Sequence, residues 1–134
     1  MKYYDIHSHL GKTSSGDENT PSELVTDLKR YGIEKVGISC LSGISTREQN
    51  DLIYRAMQEY PEVIEGYAFI NPKDAAAENE IDLCLGTYGM SAVKFHSWKH
   101  GYYPDNSGSL DRLLDKIDSY GVHVQTHVGT APIS

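Results

Sequence analysis

The stretch "TPSELVTDLKRYGIEKVGISCL", residues 20–41, reads as one helix followed by one strand. Thr20 has the chemistry of an N-cap, and Glu23, three residues on, completes a capping box. Pro21 suits the first helical position, where a missing N–H leaves nothing unpaired. Leu24, Leu28 and Tyr31 then share a face. Gly32 fits the left-handed residue that closes a helix, and the apolar run from Lys35 to Leu41 reads as a strand.

The same punctuation recurs along the chain. Tyr31-Gly32, Tyr60-Pro61, Tyr88-Gly89 and Tyr120-Gly121 each end a helical pattern, with the tyrosines 29, 28 and 32 residues apart. A period near 30 is the length of one strand-plus-helix unit. Ser45 and Glu48 repeat the capping signal, ahead of Leu52, Ile53, Ala56, Met57 and Tyr60. A third helix is predicted from about Ala75 to Tyr88, with Ala77, Ile81, Cys84, Leu85 and Tyr88 in one stripe. A fourth runs from about Ser109 to Tyr120, with Leu110, Leu113, Leu114 and Ile117 inward. The strands fall between: Tyr3 to His9, Lys35 to Leu41, Val63 to Ile70, Ala92 to Ser97 and Val122 to Val128. This alternation predicts an α/β fold with a parallel sheet and right-handed crossovers. Either an open doubly wound sheet or part of a (β/α)8 barrel fits; a whole barrel takes roughly 250 residues. The first strand–helix turn has no G-x-G-x-x-G spacing, so a dinucleotide site is unsupported.

Composition narrows the function classes. The chain has 134 residues, 39% hydrophobic and 23% charged, with a formal net charge of −7. One domain over residues 1–134 is expected. No basic patch points to nucleic acid or an anionic membrane surface, and no run approaches a membrane span. The two cysteines, Cys40 and Cys84, sit in predicted elements, which fits a reduced, cytoplasmic protein.

Polar residues gather at the C-terminal ends of the predicted strands, where parallel α/β folds bind ligands. The first strand supplies His7 and His9, the fourth Lys94 and His96, and the fifth His127. Residues two apart on a strand share a face. His7 and His9 can therefore grip one ion, with His127 as the best third ligand. A divalent metal, zinc by default, commonly uses three protein ligands and an open position for water. Asp5 lies one layer lower and is expected to orient its neighbours. The plainer readings are core or exposed histidines for the strand pair, a rim lysine paired with a carboxylate for Lys94, and a bond to a backbone carbonyl for His96. His100 reads as a solvated loop residue. The segment Trp98 to Gly108 reads as a long loop rich in aromatic residues, and Trp98, Tyr102 and Tyr103 as part of a pocket for a small molecule.

These residues resemble a known family. "DIHSHLG", "PEVIEGYAFINPKD" and "GMSAVKFHSWKHGYYPDNSGSLDRLLDKIDSYGVHVQTHVG" are similar, in order, to landmarks of amidohydrolase-related proteins. The nearest branch is that of the aminocarboxymuconate-semialdehyde decarboxylase-like enzymes. The resemblance implies the N-terminal five units of a metal-bearing, TIM-barrel-like fold. It maps the metal histidines onto His7, His9 and His127, and a strand-4 segment onto Lys94 and His96. With Trp98, Lys94 and His96 are the expected substrate-binding residues. The family's histidine after strand 6 and aspartate after strand 8 have no counterpart before Ser134, so no catalytic acid–base residue is assigned. The expected chemistry is attack of metal-activated water on an amide, ester or lactone of a small molecule. The alternatives are a decarboxylase, or a non-catalytic half-barrel forming a homo-oligomer that covers its exposed strand edges.

Overall fold

The computed structural model describes residues 1–12, 16–40, 45–105 and 108–129. The chain divides into two compact units, Met1–Tyr67 and Ala68–Ser134.

The first unit begins with β1 (Tyr3–Lys12), β2 (Glu18–Asn19), α1 (Pro21–Arg30), β3 (Ile33–Cys40) and α2 (Thr46–Glu59), and ends inside β4 (Ile64–Phe69). Its strand order is β2-β1-β3-β4. β1 pairs with β3, and β3 with β4, in parallel. β1 runs three residues past its predicted end because Gly11 and Lys12 pair with β2 in an antiparallel step. The capping box forms as predicted: Thr20 Oγ1 accepts from the Glu23 N–H, and Glu23 accepts from the Thr20 N–H. Leu24, Val25 and Leu28 of α1 are buried, and α1 and α2 both pack on β3.

One face of α2 differs from the prediction. Gln49 and Asn50 are buried and Leu52 is exposed. The buried face is centred on Ile53 and Ala56, and the positions three and four before Ile53 extend it toward the N-terminus. Leu52 lies a hundred degrees round the helix from Ile53.

The second unit takes over at the end of β4. It adds α3 (Ala77–Ile81), which widens without a break into a π-helical turn (Asp82–Thr87). The Tyr88 N–H bonds to the Leu83 carbonyl five residues back, as a π turn requires. The predicted regular helix to Tyr88 is thus two geometries in series, and its apolar stripe holds: Ala77, Ile81, Cys84 and Leu85 are buried. β5 (Ala92–Phe95), α4 (Ser97–His100), α5 (Gly108–Ser119) and β6 (His123–Thr126) follow. The order here is β4-β5-β6. The Ile70 N–H donates to the Lys94 carbonyl, and β5 pairs with β6 in parallel from Ala92↔His123 to Phe95↔Thr126. α3 packs on α5, where Leu110, Leu113 and Ile117 are buried. Leu114, expected inward, is turned out. The chain is therefore the expected α/β fold of strand–helix units with parallel pairing. Cys40 and Cys84 are both buried, and neither is in a disulfide among the described residues. Among the described residues no helix is long and apolar enough to cross a membrane.

Gly37 has a packing reason to be glycine. A Cβ built there would enter the ring of Tyr67, itself 3% exposed on the neighbouring strand. Gly37→Ala is expected to destabilise the chain by about 1–3 kcal/mol in urea unfolding, the usual cost of overpacking. Combining it with Tyr67→Leu should cost less than the two changes added; strict additivity would show that this contact is not the cause.

Candidate functional site

In the first unit, His7 and His9 both lie within β1. Their rings meet edge to face, with centroids 4.9 Å apart and planes at 88°. The β1–β3 register slips by one residue between Asp5 and Ser8. At this irregularity the Asp5 carboxylate accepts the His7 backbone N–H at 2.9 Å. Asp5 thus shapes the backbone that carries His7. His7 is exposed and His9 half-buried. His9 Nδ1 lies 3.3 Å from both the carbonyl oxygen and the Oγ of Ser39, its partner in the β1–β3 register. With the Nδ1–H donated to that carbonyl, the ring lone pair sits on Nε2. A backbone carbonyl at Nδ1 is the usual brace of a metal-ligating histidine.

In the second unit the β5–β6 register continues one step beyond both strands. The His127 N–H donates to the Phe95 carbonyl at 3.0 Å, and the rings of His96 and His127 stack at 4.0 Å and 12°. One step earlier, Lys94 lies opposite Gln125 and donates to its Oε1 at 3.2 Å. Lys94 is fully buried, and burial lowers its pKa. His96 is the N-cap of α4: its Nδ1 accepts the Lys99 N–H at 3.2 Å. This reverses the carbonyl contact expected of it. A neutral His96 must then carry its proton on Nε2, as a donor. Burial, with His127, Lys94, Lys99 and His100 nearby, pushes His96 down to about 4. His127 Nε2 is buried and has no hydrogen-bond partner among the described residues.

His100 is not the solvated loop residue expected. It ends α4, its ring lies 4.9 Å from that of Phe69, and its Nδ1 is buried with no partner among the described residues. Burial and then Lys99 push it down to about 4. The predicted loop is broken here by α4 and by Gly101 in the left-handed conformation, φ 63°. Ser97, Trp98, Gly101, Tyr102 and Tyr103 line a cleft of about 270 Å³. Trp98 and Tyr103 are exposed on it, and burial raises Tyr102 to about 12. Asn106 and Ser107, in the same predicted loop, lie outside the described residues.

Ser39, Gln125 and the Lys99 N–H were not singled out from sequence. Gln125 could have been: it stands two residues before His127, as Lys94 stands two before His96. The donor chemistry fits a divalent cation at two places, the His7–His9 pair and the orphaned Nε2 of His127. Among the described residues, no three His, Cys, Asp or Glu side chains form a group that could hold a metal ion.

The amidohydrolase family model matches residues 8–134. The chain belongs to the amidohydrolase family. No curated protein is significantly similar to it in sequence. Solved structures share the fold of this amidohydrolase. One is a probable 2-pyrone-4,6-dicarboxylic acid hydrolase from Acinetobacter baumannii, crystallised with citric acid: 19% identity, TM-score 0.73, covering 96% of this chain and 50% of that one. Another is 4-oxalomesaconate hydratase from Rhodopseudomonas palustris: 16% identity, TM-score 0.71, covering 94% and 52%. A third is a dihydroxybenzoic acid decarboxylase from Polaromonas with bound manganese and 2-nitroresorcinol: 13% identity, TM-score 0.72, covering 98% and 51%. The chain spans about half the length of these structures.

The two lowered histidines give a pH dependence of stability. Both take up a proton near pH 4 in the folded chain, against 6.5 for a free imidazole. The unfolded chain is protonated first, so stability is full above about 6.5 and falls as the pH drops toward 4. Urea unfolding in EDTA at about pH 7.5 and about pH 5 should show the loss, and His100→Gln should lessen it. An undiminished loss in the variant would exclude His100 as a source.

Proposed function

We propose that this amidohydrolase is a metal-dependent hydrolase acting on an amide, ester or lactone of a small molecule. The observation that carries the reading is the buried Nε2 of His127, which has no hydrogen-bond partner among the described residues. A buried nitrogen without a partner is costly unless something else satisfies it, and an imidazole lone pair is a good ligand for zinc or manganese. In this reading His7 and His9 supply the other two ligands. The Ser39 carbonyl supports it: an Nδ1–H donated to that oxygen would leave the His9 lone pair on Nε2. A divalent cation, with zinc as the proposed ion, supplies Lewis-acid activation of water and of a carbonyl.

The remaining residues bind and orient. Lys94 brings an amine head into a buried place, and its hydrogen bond to Gln125 holds it there. His96 offers an Nε2–H to an oxygen of the substrate. Trp98 lines the α4 cleft, where an apolar or planar part of a small molecule can lie. Decarboxylation is the second reading, favoured by the decarboxylase among the structures of the same fold.

Calorimetric titration of the EDTA-stripped chain with Zn2+ and Mn2+ is expected to show one ion bound. His127→Ala and His9→Ala should each weaken binding by at least about 100-fold, because one of three ligands is lost. Chelator-sensitive cleavage of an ester, lactone or amide panel, without CO2 release, should accompany binding. Unchanged affinity in His127→Ala would sink the ligand assignment, and CO2 release without cleavage would favour the second reading.

A further inference from the structure

We infer that His96 is a positioning residue that sets the ring plane of His127 while remaining outside the ligand set. This rests on the reading of His127 as a metal ligand. It goes beyond it by assigning to His96 a task other than touching ion or substrate.

The geometry is over-determined on the His96 side. The residue is 7% exposed, and its Nδ1 is tied to the Lys99 N–H at the start of α4. The ring therefore has one edge fixed by a helix N-terminus and its plane fixed by packing. His127 follows β6 directly, and its backbone is held by the bond to the Phe95 carbonyl. That bond fixes the Cα of His127 but leaves its two side-chain torsions open, and the ring torsion of histidine is broad. The stack against His96 narrows that freedom: planes 12° from parallel at 4.0 Å hold the plane of the His127 ring. Stacking contacts only the ring face, so both nitrogens of His127 stay on its edge, where an ion binds. His96 cannot act as a ligand through Nδ1 without giving up the cap of α4, and its Nε2 carries the proton. Its contribution to the centre is orientation, as an outer partner fixes a ligand.

The two roles of His96, ring stack and cap, can be separated by substitution. His96→Phe keeps an aromatic face and loses the cap; His96→Asn keeps a capping acceptor and loses the face. Co2+ affinity and visible absorption should be measured on the whole chain, with the midpoint of thermal unfolding for each variant. His96→Phe is expected to bind Co2+ within about 3-fold of the parent. His96→Asn should bind about 10–100-fold more weakly, with an altered absorption band. If instead affinity follows the unfolding midpoint, or His96→Asn binds like the parent, the positioning role is overturned while His127 stays a ligand. Should His127→Ala bind Co2+ as tightly as the parent, the ligand reading itself falls and this role falls with it. Nitrogen-15 spectra of the parent histidines test the same point without substitution. On Zn2+ addition, His127 Nε2 should shift as a ligand does and His96 should keep its Nε2–H form; a ligand-type shift at His96 overturns the inference.

Discussion

The fixed offset between β5 and β6 is the constraint on which the second unit's chemistry depends. Parallel strands hold their register through evenly spaced hydrogen bonds, and side chains repeat every two residues. Once Ala92 is set against His123, Lys94 must meet Gln125, and the next pair on that face is His96 with His127. No local preference of these side chains creates the stack. The backbone delivers the two rings to each other, and the bond from the His127 N–H to the Phe95 carbonyl carries the register the one further step required. A slip of one residue in β6 would turn Gln125 and His127 to the other face, away from Lys94 and His96.

The first unit solves a related problem in the opposite way. There the register is not constant. It slips between Asp5 and Ser8, where the Asp5 carboxylate takes the His7 N–H. The rings of His7 and His9 consequently meet at 88°. Where β5 and β6 present rings face to face across two strands, β1 presents two rings edge to face along one. Bulges of this kind re-aim side chains and recur next to active sites. His9 is then fixed by Ser39 on the neighbouring strand, so both units brace a histidine with a group from outside its own strand.

Much of this was legible in the residues. The capping box at Thr20, the tyrosine-ended helices and the parallel pairing of the main strands follow from local chemistry and spacing, and they form as read; the short antiparallel β2 was not legible. The choice between faces was less legible. Leu52 and Leu114 are apolar and were assigned inward, yet both are exposed, while Gln49 and Asn50 are buried. Periodicity finds a stripe but does not fix its centre to within one residue. His100 was misjudged because solvation was inferred from a loop assignment, whereas α4 turns its ring onto Phe69. The brace at Ser39 and the pairing of Lys94 with Gln125 depend on offsets of 30 and 31 residues, set by how strands align rather than by any local pattern.

The polar groups beyond β5 and β6 also oppose folding, which bears on why they are there. Lys94 is wholly buried against a neutral amide, His96 is nearly so, and nitrogen atoms of His100 and His127 are buried without partners among the described residues. Each such group costs free energy that apolar residues of similar volume would not. A chain of this size is only marginally stable, so several such costs at one place are hard to reconcile with packing alone. Local rules of sequence–structure consistency are broken mainly where a site needs them broken. In this amidohydrolase the breaks cluster at the C-terminal ends of parallel strands, which is where that architecture binds its ligands. The physical cost of the cluster, rather than the count of its histidines, is the stronger reason to read it as a site.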